Sequence, residues 1–178
     1  MLSWNGEVLP DFPALRVFDL ETDPSSLLYT AMDLERGAQR FYTMVLEKYP
    51  DQSFSGAIDL LARAEEGHAR LVYDYWSGYQ EGSVPPFSAL YEDLPGDILE
   101  SGQDVEELVA RFDRIRGPVC VNVVEMALSI EMTAYDLYRN MAHRYSGTEM
   151  ETPFLALAQA EKEHMRIAAD ALLGCASR

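Results

Sequence analysis

A chain of 178 residues with 48% hydrophobic content supports one domain with a packed core and excludes global disorder. Its formal net charge of −16 disfavours nucleic acid and anionic membranes as partners and suits cations, although acidity for solubility alone gives the same number. The two cysteines, Cys120 and Cys175, form no Cys-x-x-Cys, which excludes a zinc ribbon or a rubredoxin-type iron site and reads as two lone, inert thiols in a reducing compartment.

No apolar run approaches the roughly 20 residues that span a bilayer. The opening Met1-Leu2-Ser3-Trp4-Asn5-Gly6 lacks the basic and apolar regions of a signal peptide, so the expectation is a soluble, cytoplasmic protein.

Residues 1–22 show no helical period and are broken by Pro10 and Pro13; they read as an extended arm or a linker. The domain is expected over 23–174. Asp23-Pro24 is a helix start, and Pro50 a stop. Between them Leu28, Ala31, Glu35, Ala38, Tyr42, Val45 and Tyr49 form a seam with steps of three and four. A second helix runs from near Ser53 to Tyr79 with the stripe Ile58, Leu61, Glu65, His68, Val72, Tyr75.

Residues 80–118 form a long crossover, punctuated by Pro85-Pro86, Gly96 and Gly102. It carries one short helix opened by Asp104-x-x-Glu107. A third helix, from about Cys120 to Tyr145, has the stripe Val124, Ala127, Glu131, Ala134, Tyr138, Met141, Tyr145. Thr152-Pro153 starts a fourth, with Phe154, Leu157, Glu161, His164, Ala168 and Ala171 on one face; Gly174 ends it, leaving 175–178 as a tail.

The two halves repeat at an offset of 96: Ala31/Ala127, Glu35/Glu131, Ala38/Ala134, Tyr42/Tyr138, Glu65/Glu161 and His68/His164 all match. The fold class is therefore all-α, a four-helix bundle of two repeated helical hairpins joined by the crossover. In antiparallel helices, residues equidistant from the turn share a height. The midpoint between Glu35 and the Glu65/His68 pair is about residue 51, and that between Glu131 and the Glu161/His164 pair about 147, both on predicted turns.

Each Glu-x-x-His points two side chains to one helix face. A solvated face would not place glutamates inside apolar stripes. Four buried carboxylates without cations would repel strongly, and two divalent ions offset them. The six residues Glu35, Glu65, His68, Glu131, Glu161 and His164 are thus the candidate metal ligands, acting catalytically through the metals. Glu35 and His68 serve one metal, Glu131 and His164 the other, and Glu65 and Glu161 bridge. The donor set favours two iron ions or manganese, with zinc or cobalt able to enter in vitro. Tyr42 and Tyr138, seven residues beyond the leading glutamates, read either as hydrogen-bond partners of the ligands across the bundle or as ordinary core tyrosines. His143 reads as solvated, and the methionines, such as Met32, Met44, Met126, Met132 and Met165, as core fillers.

With these residues in place, the chain resembles the rubrerythrin branch of the ferritin-like di-iron carboxylate proteins. Leu34-Glu35-Arg36-Gly37-Ala38-Gln39-Arg40-Phe41-Tyr42 and Ala64-Glu65-Glu66-Gly67-His68 look like that family's first hairpin. The resemblance covers 24–173 apart from the crossover. It implies a di-iron oxidoreductase that reduces hydrogen peroxide or dioxygen in oxidative-stress defence, with an external electron donor and a homodimer in which hairpins are sometimes exchanged. Two departures stand out: the family's extra glutamate on the third helix is Ala134 here, and its rubredoxin-like cysteine site is missing. The six-ligand set also resembles bacterioferritin, so a ferroxidase or iron-handling protein is the alternative, and a metal or redox sensor module a third. Ser3-Trp4-Asn5-Gly6 resembles the tail of a rhodanese-like domain, which would make such a domain a partner in a longer chain.

Overall fold

The computed structural model describes residues 17–18, 23–114 and 116–176. The arm expected over 1–22 and its Ser3–Gly6 phrase lie outside the described residues, save Val17 and Phe18. Phe18 is buried, edge-on to Phe154.

The described residues form six helices and no strand: α1 (Pro24–Lys48), α2 (Ser55–Ser77), α3 (Phe87–Asp93), α4 (Val105–Arg111), α5 (Val119–Arg144) and α6 (Glu151–Ala176). The described residues are all-α, and among them no helix is long and apolar enough to cross a membrane. Local chemistry sets the helix starts. The Asp23 carboxylate accepts from the Ser26 backbone N–H at 3.2 Å, with Pro24 at the first helical position. Asp104 caps α4 in the same way, accepting from Glu107 N at 2.8 Å.

α1 packs on α2, α5 on α6, and the two hairpins meet chiefly along α2 and α6. Each hairpin turn needs one left-handed residue. It is Asp51 in the first (φ 57°) and Gly147 in the second (φ 81°), which are equivalent positions of the repeat. Aspartate tolerates this conformation better than most residues, and glycine adopts it freely.

The buried apolar residues separate into two clusters. One gathers Leu27, Leu28, Met32, Leu34, Val72, Leu137 and Phe154; the other Phe41, Val45, Phe54, Leu61, Val105, Val123 and Ala127. Burying each leucine or phenylalanine fully contributes about 1.5–3 kcal/mol. In each long helix the glutamates of the seam fall between the residues given to one cluster and those given to the other. A polar layer is thus held between two apolar ones.

Four details differ from expectation. The crossover carries a second short helix, α3, where Phe87 and Tyr91 stack with ring centroids 5.1 Å apart and are buried one turn from each other. The apolar face of α2 ends on buried Trp76, and Tyr75 is exposed. α6 opens at Glu151, one residue before the expected Thr152 cap, because the Glu151 carboxylate reaches back to Gly147 N at 2.7 Å. It also runs through Gly174 to Ala176, so residues 175 and 176 belong to the helix and not to a tail.

The reading of the cysteines is corrected. Cys120, in the first turn of α5, and Cys175, in the last turn of α6, form a disulfide with Cα atoms 5.6 Å apart. Both lie about equally far from Gly147, so the antiparallel pairing that aligns the glutamates also aligns these two sulfurs. The argument for a reducing compartment from lone thiols falls with it.

The crossover is fastened to α1 over a short stretch. Gly96 N donates to Asp33 Oδ1 at 2.7 Å, and Arg40 Nη1 donates to the carbonyls of Pro95 (2.6 Å) and Gly96 (2.9 Å) and to Asp97 Oδ1 (2.7 Å). The approach is closest at Gly37, where a Cβ would stand 2.0 Å from the carbonyl oxygen of Ile98. Only glycine fits there.

Candidate metal centre

Glu35, Glu65, Glu131, Glu161 and His164 are all buried, and His68 is 13% exposed. These residues come from all four long helices and meet in the polar layer. Glu65, His68, Glu161 and His164 each place one donor atom within 4.8 Å of the others, a cluster that could hold a metal ion.

The arrangement has near-twofold symmetry. His68 Nδ1 lies 3.1 Å from Glu35 Oε2 and 3.1 Å from Glu65 Oε2. His164 Nδ1 lies 2.9 Å from Glu131 Oε2 and 3.3 Å from Glu161 Oε2. Glu65 and Glu161 also reach across: Glu65 Oε1 is 3.4 Å from His164 Nδ1, and Glu161 Oε1 is 3.6 Å from His68 Nδ1. The two imidazoles stack with centroids 4.7 Å apart. Tyr42 donates its hydroxyl to Glu131 Oε1, and Tyr138 donates to Glu35 Oε1, so each hairpin's tyrosine holds the other hairpin's leading glutamate. Both tyrosines are fully buried, and burial beside the carboxylates pushes their ionisation well above the ordinary phenol range.

Without metal, protons must balance this charge. Burial pushes Glu35 up to about 7 despite its contact with His68, and pushes Glu161 well above the carboxylate range. For Glu65 burial acts upward too, but hydrogen bonds from His164 and His68 outweigh it and bring the group down to about 2. The imidazoles respond in kind. Burial lowers His68, yet its bonds to Glu35 and Glu65 raise it to about 10; His164 is raised by Glu131, Glu161 and Glu65. These shifts favour protonated histidines beside carboxylates that hold protons, and divalent ions can displace those protons. The donor chemistry fits a metal: carboxylate and imidazole atoms converge, and buried Glu161 Oε2 has no properly aligned hydrogen-bond partner.

One residue of this region is not foreseen. Glu100, in the crossover between α3 and α4, is 2% exposed, and its Oε2 has no hydrogen-bond partner. Burial, then the charges of Glu35, Glu65 and Glu131, drive its ionisation well above the ordinary range. It has no counterpart in the repeat and stands among many other acidic residues of the crossover, so neither period nor spacing marks it. His143 lies exposed on α5, away from the site. Of the methionines, Met32 is buried as core, but Met132 stands 53% exposed and fills no gap.

No family model, curated protein or solved structure matches the chain.

Proposed function

We propose that this chain is a ferritin-like di-metal bundle of rubrerythrin type, a non-haem di-iron oxidoreductase that reduces hydrogen peroxide or dioxygen. One observation carries the reading. Glu65 and Glu161 each stand within reach of both histidine Nδ1 atoms, whereas Glu35 meets only His68 and Glu131 only His164. That pattern supports a reading with two bridging and two terminal carboxylates and one imidazole per metal.

In this reading Glu35 and His68 would hold one ion, Glu131 and His164 the other, and Glu65 and Glu161 would serve both. Oxygen-rich ligation with one nitrogen per ion favours iron or manganese over thiolate-seeking metals. The bound iron pair would supply two electrons, enough with two protons to cleave hydrogen peroxide to water or to take dioxygen to the peroxide level. The protein's own residues set the conditions for that step. Tyr42 and Tyr138 fix the terminal carboxylates, and the apolar layers on either side limit water. Glu65 and Glu161 each lie near both histidines, so either would be available to both ions. Re-reduction falls to an external donor.

The test is to load the metal-stripped chain with Fe(II) without oxygen, count the metal, and mix with peroxide or dioxygen in a stopped-flow instrument. Two irons per chain, rapid oxidation, retention of both irons and repeated turnover with a reductant are expected. A loaded centre inert to both oxidants would sink the proposal. Continuing uptake of iron beyond two per chain would identify an iron-oxidising storage role instead.

A further inference from the structure

We infer that Glu100 is a fifth carboxylate of the metal centre, a ligand delivered by the crossover to the Glu35 side of the site. The inference rests on the two-metal reading above, and its experiment separates the two.

The side chain is buried to 2% exposure, with an oxygen that touches no donor. A buried polar atom without a partner is destabilising and rare in folded proteins. Ile98 packs against one apolar cluster and Leu99 belongs to the other, so the chain at Glu100 stands at the level of the polar layer, where Glu35, Glu65 and Glu131 are the charges that bear on it. In the metal-free protein, then, its neighbours are repulsive and its oxygen is orphaned. Both features become favourable with cations in the site.

The backbone that delivers it is fixed on both sides. Before it, Ile98 presses on α1 at Gly37 and bridges to Asp104, and Leu99 is fully buried. After it, Gly102, in the left-handed region at φ 73°, closes a tight turn with its N–H on the Leu99 carbonyl at 2.7 Å, while Leu99 N donates to Gln103 O at 2.9 Å. Glu100 is therefore held inward by anchored neighbours. The crossover lies on α1, and among the described residues the second hairpin receives no equivalent, so Glu100 makes the two metal positions unequal.

The experiment uses the full chain stripped with a chelator and titrated with Co(II) without oxygen, reading visible absorbance, for the wild type, Glu100→Gln and Glu100→Ala. The wild type binds two Co(II). In both variants one of the two ions binds at least about tenfold more weakly, and its d–d absorption intensifies as a ligand is lost. The metal-free variants melt about 2–4 °C higher than the metal-free wild type, because a buried unpartnered carboxyl is gone. The opposite signs matter: a merely structural Glu100 would lower the melting temperature on substitution and leave cobalt binding alone. Unchanged affinity and spectrum in both variants overturns the inference while leaving the two-metal centre standing, as does failure of both variants to fold. A wild type that binds no Co(II) overturns both.

Discussion

The two hairpins carry one sequence pattern and meet opposite fates outside the polar layer. In the first, the crossover lies on α1, Gly37 gives it room, and Glu100 follows it inward. In the second, the position equivalent to Gly37 is Thr133, whose hydroxyl donates to the Ser129 carbonyl of its own helix, and the open end is closed by Cys120–Cys175. The comparison teaches that the inner arrangement of glutamates, histidines and tyrosines obeys the repeat, whereas the supports around it do not. Duplicated geometry supplies the centre, and unduplicated segments hold each half in place.

The strongest way to break the symmetric part is to remove both bridging candidates. Glu65→Ala with Glu161→Ala is expected to abolish two-metal binding, measured by metal analysis after dialysis; retention of two ions would refute the assignment. The asymmetric part is probed next. Gly37→Ala should destabilise the protein by about 3 kcal/mol, since its Cβ would meet the Ile98 carbonyl, while Thr133→Ala stays within about 0.5 kcal/mol. Equal effects in chemical denaturation would show that the crossover does not discriminate the hairpins.

A pH series follows. His68 is raised in the fold from its ordinary 6.5 to about 10, so the stability it contributes is complete below pH 6.5 and lost as pH rises through 10. Glu35, raised from 4.5 to about 7, acts in the same direction, with its share lost as pH climbs through 7. The melting temperature of the metal-free protein should fall from near neutrality to pH 10, and metal should suppress the fall by replacing the protons. A flat metal-free profile would contradict the proton-sharing picture. The smallest effects belong to the turns. Gly147→Ala should cost about 1 kcal/mol, and Asp51→Gly should be neutral or slightly stabilising.

Much of this was legible in residue order. Glutamates inside apolar stripes cannot be solvated, and the repeat gave each of them a second witness. The midpoints of the ligand spacings fall on Asp51 and Gly147, the left-handed residues of the two hairpin turns. What escaped was whatever occurs once. Glu100 has no repeat partner, and its burial depends on a long-range contact between Ile98 and α1 that no local pattern encodes. The helix α3 is too short to show a period. The disulfide is hidden for another reason: two cysteines 55 residues apart carry no spacing motif of their own, and only the hairpin register that aligns the glutamates brings them together.

That disulfide has a mechanical consequence. With a sequence separation of 55, it closes the whole second hairpin into a covalent ring. Tension applied between the chain ends passes through the sulfurs and bypasses α5 and α6, so it unravels the first hairpin and the crossover while the ring keeps its slack. A single molecule pulled in an optical trap should stop short of full extension by roughly 190 Å, at about 3.4 Å per residue, and recover that length when a reductant is added. Two halves alike in pattern would then come apart by different routes, one by force alone and the other only after chemistry.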